Sequence, residues 1–164
     1  MLNEQFGDAA DAGRIPTVGA GPAYLVELGF VPGSVPPGIE QFLFRQRVEG
    51  RVLIAAHPER TPDLQRDPGR AESLRRAGLL FQTDVMALVG RYGREATRTA
   101  TALLELGAVD IIATDIHRPD DLSLVAEALD LFWDRDPSEF VRLLSTNPQL
   151  VLKGRGEEIR GEDV

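Results

Sequence analysis

The sequence contains no cysteine among its 164 residues. That removes a disulfide framework, a zinc-thiolate site and a thiolate nucleophile from consideration. Positive charge is also scarce: 18 lysines and arginines stand against 26 aspartates and glutamates, a formal net charge of −8. A nucleic-acid footprint needs a basic face, and so does attraction to an anionic lipid surface, so neither partner is expected. No run approaches the ~20 apolar residues of a membrane span, and residues 1–8 lack the basic start and apolar stretch of a signal peptide. The expectation is a cytoplasmic protein with no membrane insertion.

Histidine is rare as well, and both copies follow short apolar runs. His57 ends Val52-Leu53-Ile54-Ala55-Ala56, and His117 closes the run from Val109 through Asp115. An apolar run followed by helical sequence reads as a buried parallel strand, and the C-terminal ends of such strands are where α/β folds build their sites. The apolar content of 43% and a length near that of one typical domain predict a single core, with residues 1–154 as one unit and 155–164 as a polar, frayed tail.

Periodicity and turn chemistry predict strands over 23–29, 52–57, 79–82 and 109–117. Helices are expected over 39–49, 70–77, 94–106, 119–133 and 137–144, and a loop over 62–68. Strand and helix alternate, which implies about four parallel strands joined by right-handed crossovers with flanking helices. The fold class is α/β, either part of a β/α barrel or an open sheet.

Three motifs and one lone carboxylate could carry chemistry. In His57-Pro58-Glu59-Arg60 an imidazole that can bind a divalent ion stands beside a guanidinium that can fork onto a phosphate. The plain alternative is a strand-capping histidine with a surface ion pair. Asp115-Ile116-His117 would aim two ligand-type side chains the same way if the chain is extended, or else form a turn with His117 facing solvent. Glu27 falls in an apolar strand, where an unpaired carboxylate is costly unless a cation or donor meets it. Gly90-Arg91-Tyr92-Gly93 reads either as a phosphate-grasping loop or as an ordinary turn.

Those motifs, with Arg14-Ile15-Pro16-Thr17 ahead of Tyr24-Leu25-Val26-Glu27, with Gln82 ahead of the Gly90 loop, and with Asn147-Pro148 near the end, occur in one order from about Arg14 to Gly154. In that order they resemble the manganese-dependent tyrosine phosphatases of bacterial capsule and exopolysaccharide systems, a branch of the polymerase and histidinol phosphatase superfamily. The resemblance implies a distorted (β/α)7 barrel, here in part, with three metal ions at its C-terminal rim. Its activity would be phosphomonoester hydrolysis on the phosphotyrosine tail of a polysaccharide-chain-length tyrosine kinase.

By position, Glu27 and His57 resemble ligands of one ion, Asp115 a ligand of a second and His117 of the third. Glu4 resembles a bridging glutamate, and Arg60 and Arg118 resemble the arginines that hold the substrate phosphate. The implied cofactor is manganese, with iron or zinc as substitutes. The family's opening Asp-x-His-x-His strand and the histidines that follow it have no counterpart here. One copy is therefore expected to hold an incomplete site, to expose an inner wall, and to need a homo-oligomer, a complementing chain or a rearranged sheet. The alternative function is a catalytically silent module that binds phosphotyrosine or a partner.

Overall fold

Four short apolar runs form the sheet of the computed structural model, which describes residues 4–29, 31–33 and 35–160, with side chains from residue 6 onward. They are β1 (Ala23–Val26), β2 (Val52–Ala56), β3 (Leu79–Asp84) and β4 (Ile111–Ala113). All pairings are parallel, and the spatial order repeats the chain order, β1-β2-β3-β4. Each step to the next strand passes through helix: α2 (Ile39–Val48), then α3 (Pro62–Arg66) and α4 (Arg70–Arg76), then α5 (Arg94–Glu105). Before β1 lies α1 (Glu4–Asp11); after β4 come α6 (Asp121–Arg135), α7 (Pro137–Val141) and α8 (Asn147–Leu152). Because the strands all run one way, their C-terminal ends collect at a single rim.

Alternation along the strands sorts the core into two layers. Leu53, Ala55, Leu79 and Phe81 face the larger one, which also holds Phe42 and Leu43 of α2, Leu74 of α4, Leu103 of α5 and Phe132 of α6. In α5 the buried residues Ala96, Thr99, Ala100, Leu103 and Leu104 lie at helical spacing, so one face of the helix is committed to the sheet. Ile54, Leu80 and Ile111 point the other way, into a smaller layer with Ala23 and Val151.

Several expectations change on folding. The segment 62–68 contains α3 instead of a continuous loop, since Pro62 supplies a helical φ at the first position and Thr61 precedes it in extended backbone. Both outer strands are shorter than expected: β1 ends at Val26 and β4 at Ala113, which leaves Glu27 and Asp115 beyond the ladder. The segment after Lys153, expected to fray, includes a 3₁₀ turn at Gly156–Arg160. Ile159 of that turn packs on the smaller layer, and the Arg160 guanidinium donates to the carbonyls of Arg75 and Leu79 and pairs with Asp110. Part of the second face of the sheet is thus covered by the chain's own C-terminal segment.

That covering depends on close backbone approach at Gly21. A Cβ placed there would lie 2.5 Å from the Cα of Gly154, a contact that only a shift of backbone relieves. Gly21→Ala is expected to destabilise the protein by about 1–3 kcal/mol, the usual cost of overpacking. Urea unfolding of the two proteins checks this, and equal midpoints would show that the segment yields freely.

Candidate functional site

At the C-terminal rim the chain leaves β2 and β4 through backbone conformations that L-residues seldom adopt. His57 has φ 37° and Asp115 has φ 43°, and among the described residues they are the non-glycine positions with positive φ. Histidine and aspartate enter this region more readily than most residues, yet strain of this kind persists only where surrounding structure enforces it, and it clusters at functional sites. His57 is held by its N–H, which donates to the Gln82 carbonyl of β3 at 2.8 Å.

The two turns and the end of β1 surround an open pocket of about 240 Å³. Glu27, His57, Gln82, Asp84 and Asp115 supply its polar lining, and Leu25, Val26, Ala56 and Ala113 its apolar lining. Glu27 Oε1 approaches His57 Nε2 to 3.2 Å. Asp115 Oδ2 lies 3.8 Å from Arg60 Nη1. Arg60 itself is carried by a 3₁₀ turn, Pro58–Arg60, that begins directly after His57, and its guanidinium lies 4.6 Å from the ring centroid of Tyr92.

Expected site residues are therefore brought together in part. Glu27, His57 and Asp115 share the pocket, with Arg60 at its edge. Glu27 is not the buried strand carboxylate the sequence implies; its side chain is 58% exposed because β1 stops one residue earlier. The extended Asp115-Ile116-His117 that would aim two ligands together is also absent. Asp115 turns into the left-handed region, and His117 points outward with its side chain 73% exposed and Nδ1 2.7 Å from the Asp115 carbonyl. Arg118 is exposed on the same loop. Glu4 begins α1, and its side chain lies outside the described residues.

Sequence reading missed the layer beneath the pocket. Glu59 is fully buried, and its Oε1 accepts the Asp84 N–H at 3.4 Å. Burial pushes the Glu59 carboxyl up to about 8, and the nearby Asp84 charge adds to the rise. Asp84 is held above the ordinary carboxylate range by burial, with the Tyr92 hydroxyl opposing the shift. Burial and the same Asp84 carboxylate push the Tyr92 phenol up. The signal for Asp84 was present, an acid ending the apolar run Leu79-Leu80-Phe81-Gln82-Thr83-Asp84.

A divalent ion bound at about 2.0–2.2 Å by a carboxylate and an imidazole would hold their ligating atoms roughly 3 Å apart. Glu27 and His57 meet that spacing. Among the described residues, however, no group of three or more histidine, aspartate and glutamate side chains is placed to hold an ion. The donors present fit part of a coordination shell and do not complete one.

The pattern of the family described as "Capsular polysaccharide synthesis, CpsB/CapC" matches residues 1–153. The chain belongs to the CpsB/CapC family. Among curated proteins it is similar to the tyrosine-protein phosphatase YwqE of Bacillus subtilis (strain 168), with 26% identity over 132 residues, 80% of this chain and 51% of YwqE. A solved chain, from work described as crystal structures of YwqE from Bacillus subtilis and CpsB from Streptococcus pneumoniae, unique metal-dependent tyrosine phosphatases, superposes with a TM-score of 0.82 at 22% identity. The superposition covers 94% of this chain and 62% of that one. This establishes the α/β fold of four parallel strands with flanking helices. The chain spans about half the length of the curated relative it matches. No helix among the described residues is long and apolar enough to cross a membrane.

Proposed function

We propose that the rim pocket is the phosphate-binding part of a phosphotyrosine phosphatase centre, acting on the phosphorylated tail of a tyrosine kinase in capsule or exopolysaccharide regulation. One observation carries the reading: an imidazole, two carboxylates and a guanidinium from the ends of β1, β2 and β4 meet at one pocket, whose two non-glycine turn residues are both strained. Arg60 and Arg118 are assigned to the phosphate. Arg60 offsets charge on the transferring phosphoryl group, and Arg118, exposed on the loop that follows Asp115, is the second cation assigned to the ester.

Glu27, His57 and Asp115 are assigned as the donors this chain offers to a divalent ion, manganese before iron or zinc. His117 and Glu4 are assigned as outer donors that engage when the site is completed. A divalent ion supplies Lewis acidity to such chemistry when bound. Glu27 Oε1 and His57 Nε2, 3.2 Å apart, would face the same ion. Residues 1–154 act as one unit in this reading, and the donors still needed come from a second copy or a complementing chain.

A second reading, a silent phosphotyrosine-binding module, is favoured by the two-donor geometry of Glu27 and His57. The two readings separate in one assay: phosphate release from a phosphotyrosine peptide with and without manganese, beside elemental analysis and peptide binding on the same sample. The phosphatase reading predicts manganese-stimulated release, and Arg60→Ala is expected to remove about 2–4 kcal/mol of transition-state stabilisation, seen as a fall in kcat/KM. Arg60-dependent binding without release would support the silent module. Binding and turnover both indifferent to Arg60 would overturn the two together.

A further inference from the structure

The loop Gly90-Arg91-Tyr92-Gly93 touches Arg60 and the carboxylate that holds the Arg118 backbone, and it is not among the residues lining the pocket. Its two glycines take positive φ, 85° and 87°, which folds the loop tightly and sends Arg91 and Tyr92 toward different neighbours. Tyr92 places its ring under Arg60, 4.6 Å from centroid to guanidinium carbon. Arg91 reaches Asp121 at the start of α6 through Nε at 3.1 Å and Nη2 at 3.0 Å. Asp121, whose side chain is 4% exposed, uses its other oxygen to accept the backbone N–H groups of His117 at 3.2 Å and Arg118 at 3.1 Å.

We propose that Arg91 and Tyr92 form a positioning clip: Tyr92 seats the Arg60 guanidinium, and Arg91, acting through Asp121, fixes the backbone that carries His117 and Arg118, so that arginines from two separate strand ends address one phosphate. The clip rests on the assignment of Arg60 and Arg118 to phosphate. Neither Arg91 nor Tyr92 touches the substrate in this scheme; both act through other residues.

The physical argument is entropic and geometric. An arginine on an open rim keeps many rotamers, and ordering it at the moment of binding costs affinity that a preformed seat avoids. An aromatic face is a suitable seat, because the ring quadrupole attracts the cation through the flat face of the guanidinium, whereas an oxyanion is bound along its N–H edge. For the second arm, a carboxylate accepting two successive N–H groups fixes the direction of the loop, and a two-nitrogen contact from Arg91 holds that carboxylate in one orientation.

The test uses inorganic phosphate as the probe and the full chain. Tyr92→Leu is expected to weaken phosphate affinity by about tenfold, on the scale of a partly desolvated cation–π contact, whereas Tyr92→Phe, which keeps the ring, stays within about twofold. In an Arg60→Ala background Tyr92→Leu should have no further effect. Independently of any ligand, the Arg60 Nε–H resonance should lose its ring-current shift in Tyr92→Leu and keep it in Tyr92→Phe. Arg91→Lys should move the His117 and Arg118 amide resonances and speed their hydrogen exchange.

The clip is overturned if Arg60→Ala weakens phosphate binding while Tyr92→Leu does not. It is equally overturned if Tyr92→Leu costs as much without Arg60 as with it, since that would mark a merely structural residue. If Arg60→Ala itself leaves phosphate affinity unchanged, the phosphate assignment fails and the clip, which rests on it, falls with it, whatever the ring-current and exchange measurements show of the contacts.

Discussion

Raising the pH from about 5 to about 9 should destabilise the native protein more than its Glu59→Gln variant, by a few kcal/mol. The carboxyl of Glu59 is pushed from 4.5 to about 8, so the folded chain holds that proton more tightly than the unfolded chain does. Between those two values the folded state binds more protons than the unfolded state, and stability falls as pH rises. The contribution is fully present below about 4.5 and is lost as pH passes through about 8. At roughly 1.4 kcal/mol per pH unit the window holds at most about 5 kcal/mol. Glutamine keeps the shape and an oxygen to accept the Asp84 N–H but does not titrate. Comparing urea unfolding of the two proteins at both pH values cancels the other titrating groups. Parallel losses would mean that Glu59 is hydrated or compensated when ionised.

Asp110→Ala is expected to cost about 3–5 kcal/mol at neutral pH, the scale for removing one partner of a buried ion pair. Asp110 is 2% exposed at its side chain and serves several donors at once. Its carboxylate accepts the Phe81 N–H at 2.8 Å and pairs with Arg75 at 2.8 Å and Arg160 at 3.2 Å. Alanine would leave a buried strand N–H without its acceptor and strand Arg160, whose guanidinium burial has already lowered to about 10, against the sheet. Against a typical total stability of about 5–15 kcal/mol, such a loss is a large fraction. Asp110→Asn, which keeps one oxygen for Phe81, should lose less. Chemical unfolding of the three proteins checks the order, and an Asp110→Ala variant within about 1 kcal/mol of the native protein would show that water replaces the carboxylate.

The alternation of apolar runs with helical periodicity made the parallel sheet legible, because buried strands and one-sided helices leave distinct spacings. The placing of His57 just past a strand followed from the same runs, whereas the strand expected to continue to His117 stops at Ala113. Less visible was which acids are buried. The argument that a carboxylate within apolar sequence needs a partner was applied to Glu27, which lies exposed once β1 stops at Val26. It holds instead for Asp84 and Asp110, at the end of one run and near the start of another. The difference depends on tertiary register: Asp110 precedes β4 and meets the Phe81 N–H, a contact set by strands nearly thirty residues apart. The course of 115–117 was hidden for a related reason, since Asp121 four residues on captures the backbone and turns His117 outward.

The account turns on whether a phosphate ester enters the pocket between the ends of β1, β2 and β4. Titrating the ¹⁵N-labelled chain with a phosphotyrosine peptide and mapping the shifted amides tests that directly. The largest changes are predicted at His57, Arg60 and Asp115, with smaller ones at Tyr92 and at 117–118, and they should vanish for the unphosphorylated peptide. Saturable, phosphate-dependent shifts confined to another surface, with His57 and Asp115 unmoved, would contradict it.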